Sequence, residues 1–526
     1  MHRKFVAILL ILALAMVSEP ATAEAQSSAE RQVTILYTND FHSAVDPIPA
    51  YWLPGSPRLG GAAVLAGYVN RFRQNDSTVF LFDAGDMFTG LISNLTRGEA
   101  LMELMRAMKY DAFGIGNHEF DYGSDNFEKQ MNRVPYPVLG ANIFYKGTRN
   151  RYSRPYVILE RNGVRLGVIG IIGENARRVA LPSGITNLDF EDPATAIAPL
   201  VKELRGQVDL VVVIAHQGRT GPQQTDAEAH PEVQRDFDED VKLVGNVPGI
   251  DVFVGGHAHR GIEVPYVHPK TGTIVVQTYG YGTRLGYLKL TVRDGKIVSH
   301  QGELVKTWSD SIQPDAGVAA LIARYKMEIA PRAGAPVITL TKRLYRQYNA
   351  ESPLGNVVAD AIRDAGRAEV GFENAGGLRA DLAEGVVTTG NILDALPFLN
   401  SVETYRLTGT QILEVLEHSL TLEQGVMQVS GIRVEYDLAR PPGSRVVRAF
   451  IGGKRLVPTK SYTVATPDFL AEGGDGYMTF GKAEKLRSGP VLSTVMSDYM
   501  RRMGEAALRP ESPFVPRRLV PVKAKK

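Results

Sequence analysis

Five short motifs of this 526-residue sequence contain side chains that could bind metal ions. Each motif lies at the end of a short apolar run, where a strand would finish. The motifs are TNDFH at 38–42, DAGD at 83–86, GNHEFD at 116–121, His216, and GGHAH at 255–259. Because the sequence has no cysteine, any metal must be held by nitrogen and oxygen. Imidazole, carboxylate and amide groups suit Zn²⁺, Mn²⁺ or a similar divalent ion.

These motifs are expected to meet at one place, because ligands in α/β proteins bind beyond the carboxyl ends of the strands. The candidate metal ligands are Asp40, His42, Asp83, Asn117, His216, His257 and His259. Side chains two apart in an extended chain point the same way, so Asp40 and His42 should face one ion together. The same spacing relates His257 and His259. Each motif alone would also fit a structural role, but the whole set fits two ions that share one carboxylate.

The motifs require a sheet that presents its strand ends together. Runs rich in Val and Ile predict strands at 33–38, 79–83, 112–116, 138–141, 164–172, 210–215 and 251–255. Amphipathic segments predict helices at 99–108 and 194–204, and a hairpin-like part is predicted at 273–277, 285–292 and 296–305. The alternation of strands and helices predicts an α/β domain in which helices cover the sheet.

A second domain is predicted beyond a single helix. Residues 314–331 have a helical pattern between two prolines, which is typical of a linker between domains. The following residues, about 335–520, predict an α+β domain with helices near 353–365 and 409–420.

The chain ends predict export. Residues 1–23 have a short basic start, an apolar stretch at 5–17 and a small-residue cleavage site, as a signal peptide does. We expect a periplasmic or secreted protein that has no membrane partner after signal removal; a retained anchor is the alternative. The net charge of +2 gives no reason to expect a nucleic acid polymer as partner. Residues 515–526, including a basic tail at 521–526, are expected to be solvated.

The five motifs together resemble the calcineurin-like metallophosphoesterases, and the two-domain layout resembles the bacterial periplasmic 5′-nucleotidase and UDP-sugar hydrolase family. The resemblance covers nearly the whole mature chain. It implies a four-layer α/β/β/α metallophosphoesterase domain at 30–312, a linker helix at 313–334 and an α+β 5′-nucleotidase C-terminal domain at 335–520. Hinge motion about the linker is implied as well.

The resemblance also implies a role for each candidate residue. One divalent ion would be held by Asp40, His42 and His259, the other by Asn117, His216 and His257, and Asp83 would bridge them. His118 would act beside the phosphoryl group as a catalytic acid or base, oriented by Asp121. Judged on its residues alone, this pair would also fit a helix cap and a spare polar group. Two ions of the Zn or Mn type would promote attack of water on phosphorus without a phosphoenzyme.

The second domain is expected to select the substrate. A glycine turn with an amide and a guanidinium, formed by Asn374, Gly376, Gly377 and Arg379, suits phosphate and ribose. Phe398 and Phe469 could stack on a nucleobase, and Asp475 could accept hydrogen bonds from ribose hydroxyls. Such residues also occur as core and as ordinary turns. NAGGLR, LPF and FLAEGGDGY nevertheless resemble the substrate motifs of the 5′-nucleotidase family, in the same order.

One segment departs from the family pattern. Relatives usually place an Arg one to three residues before Glu351, where this sequence has Tyr348, Asn349 and Ala350. Either Arg343 or Arg346 substitutes for that Arg, or the phosphate clamp is weaker. The preferred phosphate chain length stays open for this reason.

The resulting expectation is an exported dinuclear-metal phosphohydrolase that removes the 5′-phosphate of nucleoside monophosphates. Nucleoside di- and triphosphates or UDP-sugars are further candidate substrates, and the protein is expected to be a monomer or a homodimer. Alternatives on the same scaffold are a 2′,3′-cyclic-nucleotide phosphodiesterase with 3′-nucleotidase activity and a thiosulfate-ester hydrolase. The alternative from another class is a non-catalytic nucleotide-binding surface protein.

Overall fold

The computed structural model describes residues 29–221, 227–231, 233–504 and 517–522. The predicted signal peptide at 1–23 and most of the predicted basic tail lie outside these residues. Within the described part of the chain, no helix is both long enough and apolar enough to cross a bilayer.

Two six-stranded sheets form the centre of the first domain. One sheet has the strand order Lys296–Lys306, Arg284–Arg293, Arg31–Thr38, Val79–Asp83, Ala112–Gly114 and Val138–Leu139. The other has the order Tyr266–Val267, Ile274–Val276, Val252–Gly255, Leu210–His216, Val164–Ile172 and Tyr156–Arg161. The strands that lead into the five motifs run parallel to one another within each sheet. Three short pairs join Ile48–Pro49 to Arg58–Leu59, Ile143–Tyr145 to Leu188–Phe190, and Arg219–Gly221 to Gln234–Asp236.

The two sheets pack face to face, which explains why their strands are almost continuously apolar. Along one central strand, Leu210, Val212 and Ile214 lie in the core between the sheets. Val211 and Val213, which point the other way, pack against the outer helices. A strand that is buried on both faces has no position for a polar side chain except at its ends.

Helices cover both outer faces. Those of the first domain are Ala62–Asn75, Leu91–Thr96, Glu99–Met108, Ser124–Met131, Glu174–Val179, Pro193–Leu204 and Asp238–Asn246. One core cluster joins the first four of these to the first sheet, and another joins the last two to the second sheet. The predicted four-layer α/β/β/α domain is therefore confirmed.

The helix between the domains is Ala316–Ala333. Its N-terminus is capped by Asp315, whose carboxylate accepts a hydrogen bond from the Val318 N–H at 2.8 Å. Val318, Ile322, Tyr325 and Ile329 are buried in the core beneath the first sheet. This helix is thus packed on the first domain along its length and leads directly into the second.

The second domain is built on a mixed five-stranded sheet with the order Gln428–Ser430, Val370–Glu373, Ser461–Pro467, Ser401–Thr408 and Glu484–Val491. A four-stranded sheet adds Lys454–Arg455, Val446–Ile451, Ile432–Tyr436 and Leu519–Pro521, and Pro336–Leu340 pairs with Gly385–Thr388. Its helices are Pro353–Gly366, Thr389–Ala395, Gly409–Ser419, Asp468–Ala471 and Leu492–Met503. This arrangement confirms the predicted α+β domain.

Local sequence signals set where these helices begin. Ser352 caps the helix that starts at Pro353, and its hydroxyl accepts a hydrogen bond from the Gly355 N–H at 3.1 Å. Thr388 and Thr408 each form a capping box with the residue three positions later. These caps hold the helices that flank the loops predicted to bind substrate.

Candidate active site

The parallel strands of both sheets end at one edge, and the five motifs meet there. Asp40, His42 and His259 lie close together, with their ligand atoms within 4.8 Å of one another. The His259 Nε2 atom lies 3.2 Å from Asp40 Oδ1 and 3.1 Å from His42 Nε2. All three side chains are buried.

A second group lies beside the first. Asp86, His216 and His257 also have ligand atoms within 4.8 Å of one another. His216 Nε2 lies 3.0 Å from Asp86 Oδ2 and 3.2 Å from the Asn117 Oδ1 atom. The other ring nitrogen of His216 lies 2.7 Å from the Ala84 carbonyl oxygen, which orients the imidazole so that Nε2 faces the group.

The position predicted for Asp83 is occupied by Asp86, so the assignment of Asp83 as a bridging ligand is corrected. Asp83 is paired with Thr38 in the sheet, and its carboxylate accepts hydrogen bonds from the Thr38 hydroxyl at 2.6 Å and the Gly85 N–H at 2.9 Å. Asp86 lies beyond the strand end. Its Oδ1 atom accepts from the His118 N–H at 2.9 Å, while Oδ2 faces both histidine groups.

Turns, and not the predicted extended chain, bring Asp40 and His42 together and direct His257 and His259 to the two different groups. Asp40, His42, His257 and His259 have φ angles of 54°, 47°, 69° and 50°, so they lie in left-handed turns and not in extended chain. Side chains larger than glycine rarely adopt this conformation, and such strain is concentrated at functional sites. The turns are held by backbone hydrogen bonds, including Asp40 N–H to the Gly85 carbonyl at 2.9 Å.

His118 and Asp121 form a hydrogen-bonded pair next to these groups. The His118 Nδ1 atom lies 2.9 Å from Asp121 Oδ2, and the Thr89 hydroxyl contacts both partners. His118 Nε2 is buried and has no hydrogen-bond partner among the described residues. Burial alone would lower the pKa of His118, but the Asp121 and Asp86 carboxylates outweigh it and raise the pKa above its usual value.

The electrostatics of the site favour positive charge at its centre. Burial alone would lower the pKa of His216, yet the carboxylates of Asp86 and Asp40 raise it to about 10. Burial and the positive charge of His216 lower the pKa of His257 to about 3, so this imidazole is neutral and can offer a lone pair. A cation bound between the two groups would take the place of the proton on His216.

The donor set fits divalent cations. Asp40 Oδ1, Asp86 Oδ2 and both ring nitrogens of His257 are buried and have no well-aligned hydrogen bond among the described residues, although imidazole nitrogens lie 3.0–3.2 Å from the two carboxylate oxygens. Leaving such atoms unpaired in a protein interior is costly. Imidazole nitrogen with carboxylate oxygen is the ligand combination that suits Zn²⁺, Mn²⁺ and similar ions.

The predicted substrate residues border a cavity beside His118. It has an empty volume of about 530 Å³, part of which is open to solvent, and is lined by His118, Asp121, Asn374, Gly376, Gly377, Phe398, Phe469 and Asp475 among others. The Phe398 ring stacks on the His118 ring at a centroid distance of 5.5 Å. Asn374 Nδ2 donates to the Asp475 carboxylate at 2.8 Å, and burial raises the pKa of Asp475 to about 7 despite this hydrogen bond.

Arg379 lies in a neighbouring cavity that also contains His42 and Thr89. Its guanidinium lies 5.7 Å from the Phe398 ring centre and donates a hydrogen bond to the Tyr281 hydroxyl at 3.2 Å. The structure thus brings every predicted site residue except Asp83 to one region at the domain boundary.

The Glu351 carboxylate binds the backbone of the C-terminal segment, and this differs from the phosphate clamp that the family pattern implies. The Glu351 carboxylate accepts hydrogen bonds from the backbone N–H groups of Arg517, Arg518 and Leu519 at 2.8–3.0 Å. Arg343 pairs with Asp381, and Arg346 donates to the Leu378 carbonyl at 3.1 Å. The expectation of a solvated segment at 515–526 is wrong for 519–521, which form a strand.

Sequence reasoning missed three residues around the centre, namely Asp86, Thr89 and Glu119. The Glu119 carboxylate accepts four backbone N–H groups, from Asp86, Met87, Phe88 and Gly116 at 2.7–3.2 Å. Asp86 and Glu119 lie within the quoted motifs, so a signal existed for both. Nothing in the spacing of Thr89 marked it.

Comparison with known proteins gives consistent matches over most of the chain. A family model described as calcineurin-like phosphoesterase matches residues 33–261, and one described as 5′-nucleotidase, C-terminal domain, matches 333–482. The 5′-nucleotidase of Homo sapiens is 30% identical over 94% of this chain and 91% of its own length. The snake venom 5′-nucleotidase of Naja atra is 29% identical over 90% of this chain and 96% of its own.

A solved structure of similar architecture is the 5′-nucleotidase precursor from Thermus thermophilus. It has a TM-score of 0.78 and 25% identity, and it covers 94% of this chain and 100% of its own. The two-domain architecture is therefore shared with these relatives. The chain belongs to the 5′-nucleotidase family of calcineurin-like metallophosphoesterases and is a phosphoric monoester hydrolase.

Proposed function

We propose that this protein is an exported 5′-nucleotidase that removes the 5′-phosphate of nucleoside monophosphates. The observation that carries the proposal is the cavity at the domain boundary. His118 and Asp121 line it together with Phe398 and Phe469. A phosphoryl group beside His118 and a nucleobase against the aromatic rings would belong to one substrate.

Seven side chains would hold two divalent cations of the Zn or Mn type. Asp40, His42 and His259 would hold one ion, Asn117, His216 and His257 the other, and Asp86 would contact both. Divalent cations at such a site supply Lewis-acid chemistry, which stabilises charge on phosphoryl oxygens and favours attack by water. The left-handed turns and the Glu119 hydrogen bonds fix the backbone of the ligand-bearing loops.

His118 would act on the phosphoryl group through its Nε2 atom. Asp121 accepts a hydrogen bond from His118 Nδ1, which fixes the ring orientation and leaves Nε2 facing Asp86 Oδ2, 3.9 Å away, at the edge of the candidate metal centre. With its pKa raised by two carboxylates, the protonated imidazole can stabilise negative charge or protonate the leaving oxygen. No covalent nucleophile is needed, in agreement with the absence of cysteine.

The second domain would recognise the nucleoside. Phe398 and Phe469 present aromatic rings to the cavity, and base stacking tolerates different bases because every base has a π face. The Asp475 carboxylate, oriented by Asn374, would accept hydrogen bonds from ribose hydroxyls. Arg379 would contact the phosphate, since a guanidinium matches phosphate geometry.

A second candidate activity is hydrolysis of longer substrates such as nucleoside di- and triphosphates or UDP-sugars. The neighbouring cavity supports this candidate, because it begins at His42 and Arg379 and extends to Lys326. A group attached beyond the reacting phosphate would have room there. The same two cavities would also serve a cyclic-nucleotide phosphodiesterase, so this alternative belongs in the test.

Export is supported by the signal-peptide pattern at 1–23. It is also supported by the relatives, which include a venom protein and a protein described as a precursor. We therefore propose that the enzyme acts in the periplasm or outside the cell. Secretion of the full chain with loss of about 23 residues, measured by mass spectrometry, would test this.

The activity test uses the mature chain with Mn²⁺ or Zn²⁺ and four substrates: AMP, UDP-glucose, 2′,3′-cyclic AMP and p-nitrophenyl phosphate. We expect phosphate release from AMP with the highest kcat/KM. Preference for the cyclic nucleotide would favour the phosphodiesterase alternative. Failure to hydrolyse any of the four while still binding AMP would favour a non-catalytic nucleotide-binding protein.

Two kinds of variant test the residue roles. His118→Ala should lower kcat for AMP about 10²- to 10⁴-fold, the usual range for a general acid or base. Phe398→Ala or Phe469→Ala should raise KM for AMP about 5- to 150-fold, which corresponds to roughly 1–3 kcal/mol of stacking. The KM for p-nitrophenyl phosphate should not change in either variant. Phe450→Ala, remote from the cavity, is the matched control. Full activity of His118→Ala, or an equal KM change for both substrates, would contradict these roles.

A further inference from the structure

Tyr281 lies between the two domains at the edge of the candidate metal centre. It follows the strand Ile274–Val276 and has a left-handed φ of 62°. Its backbone N–H donates to the Asp40 carbonyl at 2.8 Å. A large side chain in this conformation is unusual, so the chain keeps a tyrosine where glycine would fit the backbone more easily.

The Tyr281 side chain touches three candidate site residues. Its ring centre lies 5.6 Å from that of His42 and 5.7 Å from that of His259. Its hydroxyl accepts a hydrogen bond from Arg379 Nη2 at 3.2 Å. One side chain of the first domain therefore contacts two candidate ligands and an arginine of the second domain.

The hydrogen bond between Arg379 and the Tyr281 hydroxyl restricts the orientation of the Arg379 guanidinium. A guanidinium carries five N–H groups in a rigid plane, so a hydrogen bond to one of them restricts where the others point. Both residues line the cavity that begins at His42. Because Tyr281 also contacts His42 and His259, its hydrogen bond orients the Arg379 guanidinium in advance towards an anion bound at the candidate metal centre.

We propose that Tyr281 is a positioning residue that holds Arg379 over the phosphate and so contributes to phosphate recognition. The inference rests on the proposed function, because it takes Arg379 as a phosphate contact. Since the hydrogen bond joins residues of two domains, it forms only when the domains are together. Tyr281 would thereby link phosphate recognition to closure of the cleft.

Tyr281→Phe tests the inference, because it removes the hydroxyl and keeps the ring against His42 and His259. We expect KM for AMP, and the inhibition constant of inorganic phosphate, to rise about 3- to 10-fold, as for loss of one hydrogen bond. The inhibition constant of adenosine, which has no phosphate, should not change. The metal content of the variant should equal that of the wild type.

Tyr136→Phe is the matched control, because its hydroxyl donates to the Met102 carbonyl away from the centre. In an Arg379→Ala background, Tyr281→Phe should have no further effect on phosphate inhibition, since the partner is gone. Additive effects, an equal change for adenosine, or no change in the single variant would each overturn the proposal. Phosphate inhibition can be followed with p-nitrophenyl phosphate, so failure of AMP hydrolysis would be recognised separately.

Discussion

Asp83 and Asp86 are carboxylates three residues apart that have different surroundings. Substitution of Asp86 should therefore affect metal binding, whereas substitution of Asp83 should affect stability. Asp86 Oδ2 faces the buried histidines, whereas both Asp83 oxygens accept hydrogen bonds within the strand end. We expect Asp86→Asn to lower the bound metal per chain and to reduce kcat/KM on the order of 100-fold or more, because a charge that stabilises the centre is lost.

Asp83→Asn is the matched control for this prediction. It should keep the full metal content and cost about 1 kcal/mol of unfolding free energy, since one hydrogen bond from Thr38 is weakened. Metal analysis of the purified variants by mass spectrometry and thermal unfolding would measure both effects. Loss of metal in Asp83→Asn with retention in Asp86→Asn would restore the original assignment.

Asp475 predicts a pH dependence of nucleotide binding. Burial raises its pKa to about 7, so the carboxyl is largely protonated below that pH and ionised above it. The ionised form is the stronger acceptor for ribose hydroxyls, so KM for AMP should fall as the pH rises from about 6 to 8. The ratio to KM for p-nitrophenyl phosphate corrects for changes at the metal centre. Asp475→Asn should flatten this ratio; an unchanged pH profile in the variant would exclude Asp475 as its source.

The raised pKa of Asp475 also makes the free energy of unfolding depend on pH. Its folded pKa lies above the ordinary value of 3.8, so the folded state binds the proton more tightly than the unfolded state. The stabilisation from this proton is present at low pH and is lost as the pH rises towards about 7.

Residue types and spacing in the sequence were sufficient to locate the site, but they did not define the local backbone. The five motifs were recognised because polar ligand types follow strands that are otherwise apolar. The left-handed turns at Asp40 and His257 were not predicted, since they depend on hydrogen bonds to distant residues such as Gly85. The sequence does not distinguish Asp83 from Asp86, because the end of a strand depends on its pairing, here that of Asp83 with Thr38.

At the scale of elements, the C-terminal strand Leu519–Pro521 depends on one buried carboxylate. Glu351 accepts three backbone N–H groups from this segment and a fourth hydrogen bond from Asn356 Nδ2 at 2.7 Å. Arg518 also forms a bidentate ion pair with Asp360 at 2.8–2.9 Å. The strand is therefore part of the second domain and closes its smaller sheet beside Ile432–Tyr436.

Glu351→Gln should destabilise the protein without affecting substrate binding. The amide offers one acceptor oxygen and turns a donor towards the backbone N–H groups, which should cost about 1–3 kcal/mol of unfolding free energy. Urea unfolding would measure this loss, and KM for AMP should stay within about twofold, inside the usual scatter for independent sites. A large rise in KM with unchanged stability would instead assign Glu351 to phosphate binding.

The boundaries of helices and strands could be predicted from the sequence where the pattern of buried apolar residues alone determines them. The strands Val79–Asp83 and Val164–Ile172 and the helix Glu99–Met108 have the predicted boundaries, because continuous apolar runs and a clear amphipathic period mark them. Short strands such as Ile48–Pro49 were not predicted. Their pairing is set by tertiary contacts and leaves no period in the sequence.

At the scale of the whole molecule, the site is complete only when both domains contribute. The metal-ligand groups and His118 belong to the first domain, while Phe398 and Arg379 belong to the second. The Phe398 ring covers His118, and Asn94 donates to the Pro397 carbonyl across the same boundary. A nucleotide held by side chains of both domains would lose half of its contacts when they separate, so we expect turnover to involve domain separation.

Domain separation can be measured directly because the chain has no native cysteine. Spin labels at Lys202→Cys in the first domain and Lys454→Cys in the second should show two distance populations, since the residues joining the domains can act as a hinge. Both positions are exposed. Adenosine with phosphate should shift the populations towards one of the two distances, because the ligands bridge surfaces of both domains. A Lys129→Cys and Lys202→Cys pair within the first domain should give one distance that ligands do not change. A single, ligand-independent distance for the inter-domain pair would mean that the domains form a rigid unit and that product leaves through the cavity near Lys326.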